Sequence, residues 1–372
     1  MAGKRRQFGR IRKLPSGRYQ ARYPDPDGLL RPAPETFETK RDADDWLAAT
    51  QTALNNKDWR DPDAGAINFT TYAEAWITER DLMATTDELY RRLLRLHLAP
   101  TFGVWDLDEI TAPRVRTWRA ELLASGKRIT TAKAYRLLKA ILATAADDEL
   151  IKRNPCRIKG AGKESSEERG TATIEQVYEL AELVGARWRA MVLLAAFTTL
   201  RPEELAALRR PDVDLVAGTV RVHQAAPELN TGQRVVGDTK SEAGKRTVTI
   251  PSVVLPDIRL HLELFAEKDA QGLLFVGEKG APFRRTSFGR IWKKARDKAG
   301  MPGFHFYDLR GTGNNLAATT GASLKELMAR MGHASVRAAL IYQHATSERD
   351  KKIADGMDAA ITRALGKDTE KP

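Results

Sequence analysis

Two stretches break every hydrophobic period in this chain and divide it before any element is assigned. Residues 58–67, Asp-Trp-Arg-Asp-Pro-Asp-Ala-Gly-Ala-Ile, hold neither a helical nor a strand repeat. Residues 160–170, Gly-Ala-Gly-Lys-Glu-Ser-Ser-Glu-Glu-Arg-Gly, carry no apolar side chain larger than alanine, the composition of a flexible connection. A chain of 372 residues cut at these two places is expected to form three separate cores, with domains at 1–57, 66–160 and 170–372.

The first segment is basic and strand-like. Lys4, Arg5, Arg6, Arg10, Arg12, Lys13, Arg18 and Arg22 occur by residue 23 with no acidic residue among them, a density that needs a polyanion nearby. From Gly17 to Tyr23 the residues alternate, with Tyr19, Ala21 and Tyr23 on one face and Arg18, Gln20 and Arg22 on the other. Turn residues flank this run, and a further extended stretch reaches Phe37, giving about three short strands. Thr39 can then cap a helix whose Ala43, Trp46, Leu47, Thr50 and Leu54 form one face over the sheet. The expectation is a β-β-β-α module in which Arg5, Arg6, Arg10, Arg12, Arg18 and Arg22 meet DNA; a basic face that is merely solvated is the plainer alternative.

Between the two breaks the period is helical throughout. Tyr72, Ala75 and Trp76 mark one helix, Leu89, Leu93, Leu94 and Leu96 a second, and Val115, Trp118, Leu122 and Leu123 a third. Leu137, Leu138, Ile141, Leu142, Ala145 and Ala146 mark a fourth, ending near Asn154-Pro155, where proline stops a helix. After Thr171 the chain reads as helical to Leu208. Extended runs follow at Thr219–His223, Gln233–Gly237 and Arg246–Ile250, and helices resume from Val254 to the end. The fold class is therefore mainly α with small antiparallel sheets.

Charge narrows the partner. Sixty-one Lys and Arg against 49 Asp and Glu give a net charge of +12, which favours nucleic acid or an anionic membrane surface. The basic cluster lies on strand-like sequence and not on a basic amphipathic helix, which argues against the membrane. The longest apolar run, Ala190 to Phe197, is too short to cross a bilayer, so a soluble intracellular protein is expected. The single cysteine, Cys156, excludes an internal disulfide and reads as a small buried apolar residue. With no phosphate-binding glycine loop and no metal-ligand cluster, no cofactor is expected.

Polar residues stand in unusual places in the last third. Arg201 directly follows an apolar run and precedes Pro202 and Glu204; Arg310 lies in Tyr307-Asp-Leu-Arg310; His333 follows Gly332; and Tyr342 lies in Leu340-Ile-Tyr-Gln-His344. Taken singly, each has a bland explanation as an ion pair, a cap or a core aromatic. Their order and spacing resemble the tyrosine recombinase, or phage integrase, family. That family's signature is an Arg in a Leu-Arg-x-x-Glu-Leu context, a Lys on a β-hairpin, a His-x-x-Arg box, a Gly-His pair, and a Tyr nine residues after that His. Leu200-Arg201-Pro-Glu-Glu204-Leu205, Lys240, Asp308-Leu-Arg310, Gly332-His333 and Tyr342 fill those places. One departs: Tyr307 stands where the box histidine is usual, and His305 lies two positions too early to replace it.

The resemblance implies a core-binding domain at 66–160, a catalytic domain at 170–372 and an arm-type DNA-binding module at 1–57. It also implies a division of chemical labour. Arg201 and Arg310 would clamp the non-bridging phosphate oxygens, since guanidinium forks hold them bidentately and keep their charge. Lys240 would protonate the leaving 5′-oxygen and His333 would bond a phosphate oxygen or take the phenol proton. Tyr342 would be the nucleophile that holds the 3′-phosphate. Tyr307 would contribute by hydrogen bonding, and Glu204 would orient its neighbours. The implied partners are double-stranded DNA, further copies of the chain in a homotetramer, a DNA-bending host factor and an excision factor. A recombinase that has lost catalysis and acts only as a DNA-binding protein is the alternative that the missing box histidine keeps open.

Overall fold

The computed structural model describes residues 8–57, 59, 61, 63–164, 170–239, 241–336, 354–358 and 360–362. Arg5, Arg6, Lys240 and Tyr342 lie outside these residues, as do Ile353 and Leu365. The latter two, with Met357 and Ile361, are spaced four apart in sequence and are expected to form an apolar stripe that docks on a second copy or packs on its own domain. The chain forms two compact units, 1–166 and 167–372.

The first unit contains two apolar cores. Strands β1 (Arg10–Lys13), β2 (Tyr19–Pro24) and β3 (Leu30–Pro32) form an antiparallel sheet in that order, with Arg10 opposite Arg22 and Arg12 opposite Gln20. The alternation in β2 sets its faces: Ala21 and Tyr23 are fully buried, Gln20 and Arg22, alternating with them, are half-buried, and Arg12, opposite Gln20, is exposed. Helix α1 (Lys40–Asn55) covers the apolar face. Thr39 caps it by accepting from the Asp42 amide, and the Asp42 carboxylate returns a bond from the Thr39 amide. Ala43, Leu47 and Thr50 are buried, and Trp46 meets Tyr23 edge-on at 5.4 Å.

The second core is built by α2 (Phe69–Thr78), α3 (Ala84–Leu93), α4 (Ala99–Phe102), α5 (Ala112–Ala124) and α6 (Arg128–Asp147). Between α3 and α4 residues Leu94–Leu98 form a π-helical turn. The extra residue in that turn shifts the period, so Leu96, expected on the apolar face, is exposed while Leu94 and Leu98 are buried. Residues 160–164, expected to be a loose connection, are held on α6. Arg136 donates to the Gly162 carbonyl at 2.8 Å and pairs with Glu164. Cys156 is buried, and burial pushes its thiol up to about 12.

The second unit is organised around α8 (Ala186–Phe197), whose Ala190–Ala196 stretch is buried on every side. It follows α7 (Ile174–Leu183), precedes α9 (Pro202–Ala207) and packs against α10 (Leu255–Leu264) and α12 (Asp308–Thr319). Strands β4 (Val213–Asp214), β5 (Thr219–Val222) and β8 (Arg246–Thr249) form one antiparallel sheet; β6 (Gln224–Ala225) and β7 (Gly237–Asp238) form a separate pair. The run Gln233–Gly237, expected to be a strand, contributes only its last residue. Arg234 turns inward there, donating to the carbonyls of Ala226 and Phe283 at 2.7 Å each, and so fastens the loop to the body. The helical expectation after Val254 is also interrupted. Residues 265–284 are largely irregular and bury Leu274 and Phe275 before α11 (Arg285–Lys298) and α13 (Leu324–Met331). No helix among the described residues is long and apolar enough to cross a membrane.

Candidate active site

The site of the second unit is assembled at three helix ends. Arg201 stands at the N-terminus of α9 in extended conformation, and Pro202 opens the helix without a donor to lose. Its backbone N–H donates to Glu204 Oε2 at 2.9 Å, its Nη1 to Glu204 Oε1 at 2.5 Å, and its Nη2 to the Gly332 carbonyl at 3.2 Å. Arg310, in the first turn of α12, donates Nη1 to the Thr199 carbonyl and Nη2 to the Met331 carbonyl. The two guanidinium groups thus rest on consecutive carbonyls, those of Met331 and Gly332, at the end of α13.

That end has a specific local cause. Gly332 takes a left-handed φ of 63°, and a Cβ there would lie 2.8 Å from the Ala243 carbonyl oxygen, so glycine is required on both counts. Its amide bonds to Ala329, and the next amide, of His333, bonds back to Met328 at 3.0 Å. This is the paired bond pattern of a glycine-terminated helix, and it fixes where His333 leaves α13. Gly-His is therefore one structural unit: the glycine makes the turn and the histidine is presented by it. Thr199, at φ 57°, is a further left-handed residue, and its carbonyl is the one that receives Arg310.

Electrostatics follow from burial. Arg310 is 1 % exposed, and desolvation, then the nearby Arg201 charge, bring its pKa down to about 10, which leaves it cationic at neutral pH. Arg201, at 18 % side-chain exposure, is the fork that meets solvent. His333 is half-buried, and burial, then Arg310, Arg201 and Arg246, push its pKa down to about 4, so the imidazole is neutral. Glu204 is 1 % exposed. Burial pushes its carboxyl up, but hydrogen bonding and charge from Arg246, then the Arg201 amide and charge, outweigh this and hold it below the ordinary carboxylate range.

The structure therefore brings together Arg201, Glu204, Arg310 and His333. Tyr307 stands at the N-terminal boundary of α12, 39 % exposed, and its hydroxyl is close enough to be felt electrostatically by Arg310. His305 lies elsewhere: its ring is 64 % exposed and 3.4 Å from Asp308. Lys240 falls outside the described residues. Of its neighbours, Thr239 donates its hydroxyl to the Ser241 carbonyl at 2.8 Å, and Lys245 pairs with Asp238 and Glu242 at 3.2 Å each. The sequence reading missed Arg246, which lies on Glu204; its position on the same strand face as buried Val248 was the available signal. In the N-terminal sheet, Arg12 bonds Gln20, Arg18 bonds Thr36 and Arg22 bonds the Leu30 carbonyl, leaving Arg10 on the outer edge strand.

Two arginines held side by side on this mixed helical and β scaffold have the chemistry to meet an anion, and comparison with known proteins specifies the class. Residues 171–349 match the phage integrase family, and residues 7–56 match the phage integrase N-terminal domain. The chain belongs to the phage integrase family and is a site-specific recombinase of the tyrosine type. It is 39 % identical over 357 residues to the prophage phiRv2 integrase of Mycobacterium tuberculosis, covering 94 % of this chain and 95 % of that one. The fold is similar to that of the Tn1549 transposon integrase in complex with a circular intermediate DNA, with a TM-score of 0.68, 20 % identity, and 78 % and 99 % of the two chains covered. It is also similar to the lambda integrase tetramer bound to a Holliday junction, with a TM-score of 0.58, 16 % identity, and 92 % and 97 % covered.

Proposed function

We propose that this recombinase integrates and excises mobile DNA in a bacterial cytoplasm, with Tyr342 as nucleophile and Arg201 and Arg310 as the phosphate clamp. The phenolic oxygen of Tyr342 attacks the scissile phosphorus, the bond to the 5′-oxygen breaks, and the 3′-phosphate stays on the tyrosine. Lys240 gives a proton to the leaving 5′-oxygen. Neutral His333 bonds a phosphate oxygen or accepts the phenol proton. Glu204 orients Arg201, and Tyr307 adds a hydrogen bond. A 5′-hydroxyl from the partner strand then reverses the step, so the bond energy is conserved and no external energy source enters.

The observation that carries this reading is the seating of Arg201 and Arg310 on adjacent carbonyls immediately before His333. Two permanent cations held side by side match the two non-bridging oxygens on which charge builds in the transition state. The buried network of Arg201, Glu204, Arg246 and Arg310 beneath them favours catalysis over a decayed binding protein, since a chain relieved of catalysis has no use for so costly an arrangement.

Residues 1–57 serve in this reading as the arm-binding module, with Arg5, Arg6, Arg10, Arg12, Arg18 and Arg22 on DNA. Residues 66–160 form the core-binding domain and 170–372 the catalytic domain. The working assembly is a homotetramer on attachment-type DNA, aided by a bending factor and an excision factor. Exposed Met357 and Ile361 support docking of the C-terminal segment on a second copy.

Covalent capture tests the chemistry. The full chain is incubated with a library of nicked random-sequence duplexes, denatured, and the protein-bound strands are sequenced. Wild type is expected to yield one family of attached ends and Tyr342→Phe none, at near wild-type DNA affinity. Arg201→Ala and Arg310→Ala should each lower the rate on the order of a hundredfold. Sequence-selective binding by wild type without any adduct would favour the decayed alternative.

A further inference from the structure

Glu204 is gripped by two arginines. Arg246, the first residue of β8, lays Nη1 on Oε1 at 3.2 Å and Nη2 on Oε2 at 3.0 Å. Arg201 supplies the other two donors, Nη1 to Oε1 and its amide to Oε2. Four donors on two oxygens fill the accepting capacity of a carboxylate, so Glu204 has one orientation available. Two further donors of Arg246 go to the Arg330 carbonyl, from Nε at 2.8 Å, and to the Gly244 carbonyl, from Nη1 at 2.9 Å. A Cβ on Gly332 would come within 3.0 Å of Arg246 Nη1, so the cap that presents His333 is built directly against this side chain. Arg246 is only 6 % exposed and lies beneath the reacting surface.

We propose that Arg246 is a positioning residue for strand cleavage, fixing Glu204 against the Arg201 fork and bracing the glycine cap that carries His333. The inference rests on the clamp role given to Arg201 above. Its physical basis is the imbalance of a buried carboxylate. Glu204 faces Arg201 from the start of α9, Arg246 from β8, Arg310 from α12 and His333 from the end of α13. Arg246 supplies the largest attraction opposing its desolvation. Without that guanidinium, burial dominates, Glu204 takes up a proton nearer neutral pH, and a neutral carboxyl holds Arg201 less firmly.

The test measures single-turnover cleavage, DNA affinity and melting of the full chain on the nicked duplex selected by covalent capture. Arg246→Gln is expected to cleave roughly tenfold to a hundredfold more slowly at pH 7 with unchanged affinity. The ratio of its rate to that of wild type should rise with pH, as Glu204 regains its charge. Arg246→Lys, which keeps a charge but cannot fork, should lose at least about threefold with a ratio independent of pH. A ratio near one at every pH overturns the assignment, and so does an equal, pH-independent loss in both variants, which marks packing alone. Should Arg246→Gln fail to fold, Arg246→Lys decides: slower cleavage at full affinity supports the role and wild-type cleavage overturns it. Arg201→Ala on the same duplex separates the two readings. If that variant cleaves normally the clamp itself is wrong; if it is inactive while Arg246→Gln is normal, only the positioning role fails.

Discussion

A methyl group on Gly313 would stand 1.8 Å from the carbonyl oxygen of Ala196. Helix α12 therefore approaches the backbone of α8 more closely than any side chain allows, and this approach carries Arg310 to the Thr199 carbonyl just beyond α8. Gly313→Ala should force the helices apart, lowering stability by about 1 to 3 kcal/mol or more and removing cleavage, read by thermal melting and the adduct assay. Gly289 is the control. It lies within α11, is exposed, and a Cβ there would meet nothing within 4 Å. Gly289→Ala should raise stability by about 0.5 to 1 kcal/mol with cleavage unchanged.

His261 makes stability depend on pH. It is buried between Phe265 and Phe275, its Nε2–H donates to the Leu274 carbonyl at 2.7 Å, and burial pushes its pKa from 6.5 down to about 4. Below pH 6.5 the unfolded chain binds a proton that the folded chain refuses. The stability tied to neutral His261 is thus full above about 6.5 and is lost as pH falls toward 4, at about 1.4 kcal/mol per unit. His261→Gln keeps a donor for Leu274 and does not titrate, so its melting temperature should fall less steeply over that window. An unchanged slope would place the acid sensitivity elsewhere.

Arg31 fastens the sequence break at 58–67 onto the small sheet. Its Nε bonds Asp25 at 2.7 Å and its Nη1 bonds both oxygens of Asp61 at 2.7 Å, while Trp59 packs edge-on against Tyr23. Arg31→Met should release Asp61 and leave buried Asp25 without its counter-charge. Limited proteolysis should then cut between residues 57 and 66 faster than in wild type, with the helical core intact. Equal cutting rates would show that Trp59 alone holds the segment.

Much of this was legible in the sequence because it depends on local rules. The Thr39 cap, the alternation at Tyr19–Tyr23 and the four-residue spacing in α6 each follow from side chains near one another in the chain, and the structure carries them as read. What was not legible depends on distant partners. Nothing near Leu96 announces a π-helical turn, and nothing near Arg234 indicates that Ala226 and Phe283 will draw it inward out of a strand. Arg246 shares a strand face with buried Val248, but the carboxylate that gives this placement its meaning lies at Glu204, across the fold. The site residues were readable as a set only through their family spacing; taken one by one, each had a plausible structural use.

Tyr307 offers the sharpest separation of roles within the site. It occupies the position where the family usually has histidine, at the boundary of α12, and its carbonyl receives the Arg310 amide at 3.1 Å, one turn away. Tyr307 is 39 % exposed, and in the proposed mechanism its hydroxyl would donate to the phosphate clamped by Arg201 and Arg310. A phenol donates one hydrogen bond but carries a proton poorly near pH 7. Tyr307→Phe should therefore slow single-turnover cleavage by about 1 kcal/mol, roughly five- to tenfold, far less than loss of either arginine. Tyr307→His should remain active, since imidazole restores the usual family residue. A Phe variant that cleaves at the wild-type rate would make Tyr307 a packing residue, and a loss as deep as that of Tyr342→Phe would assign it a part in moving the proton.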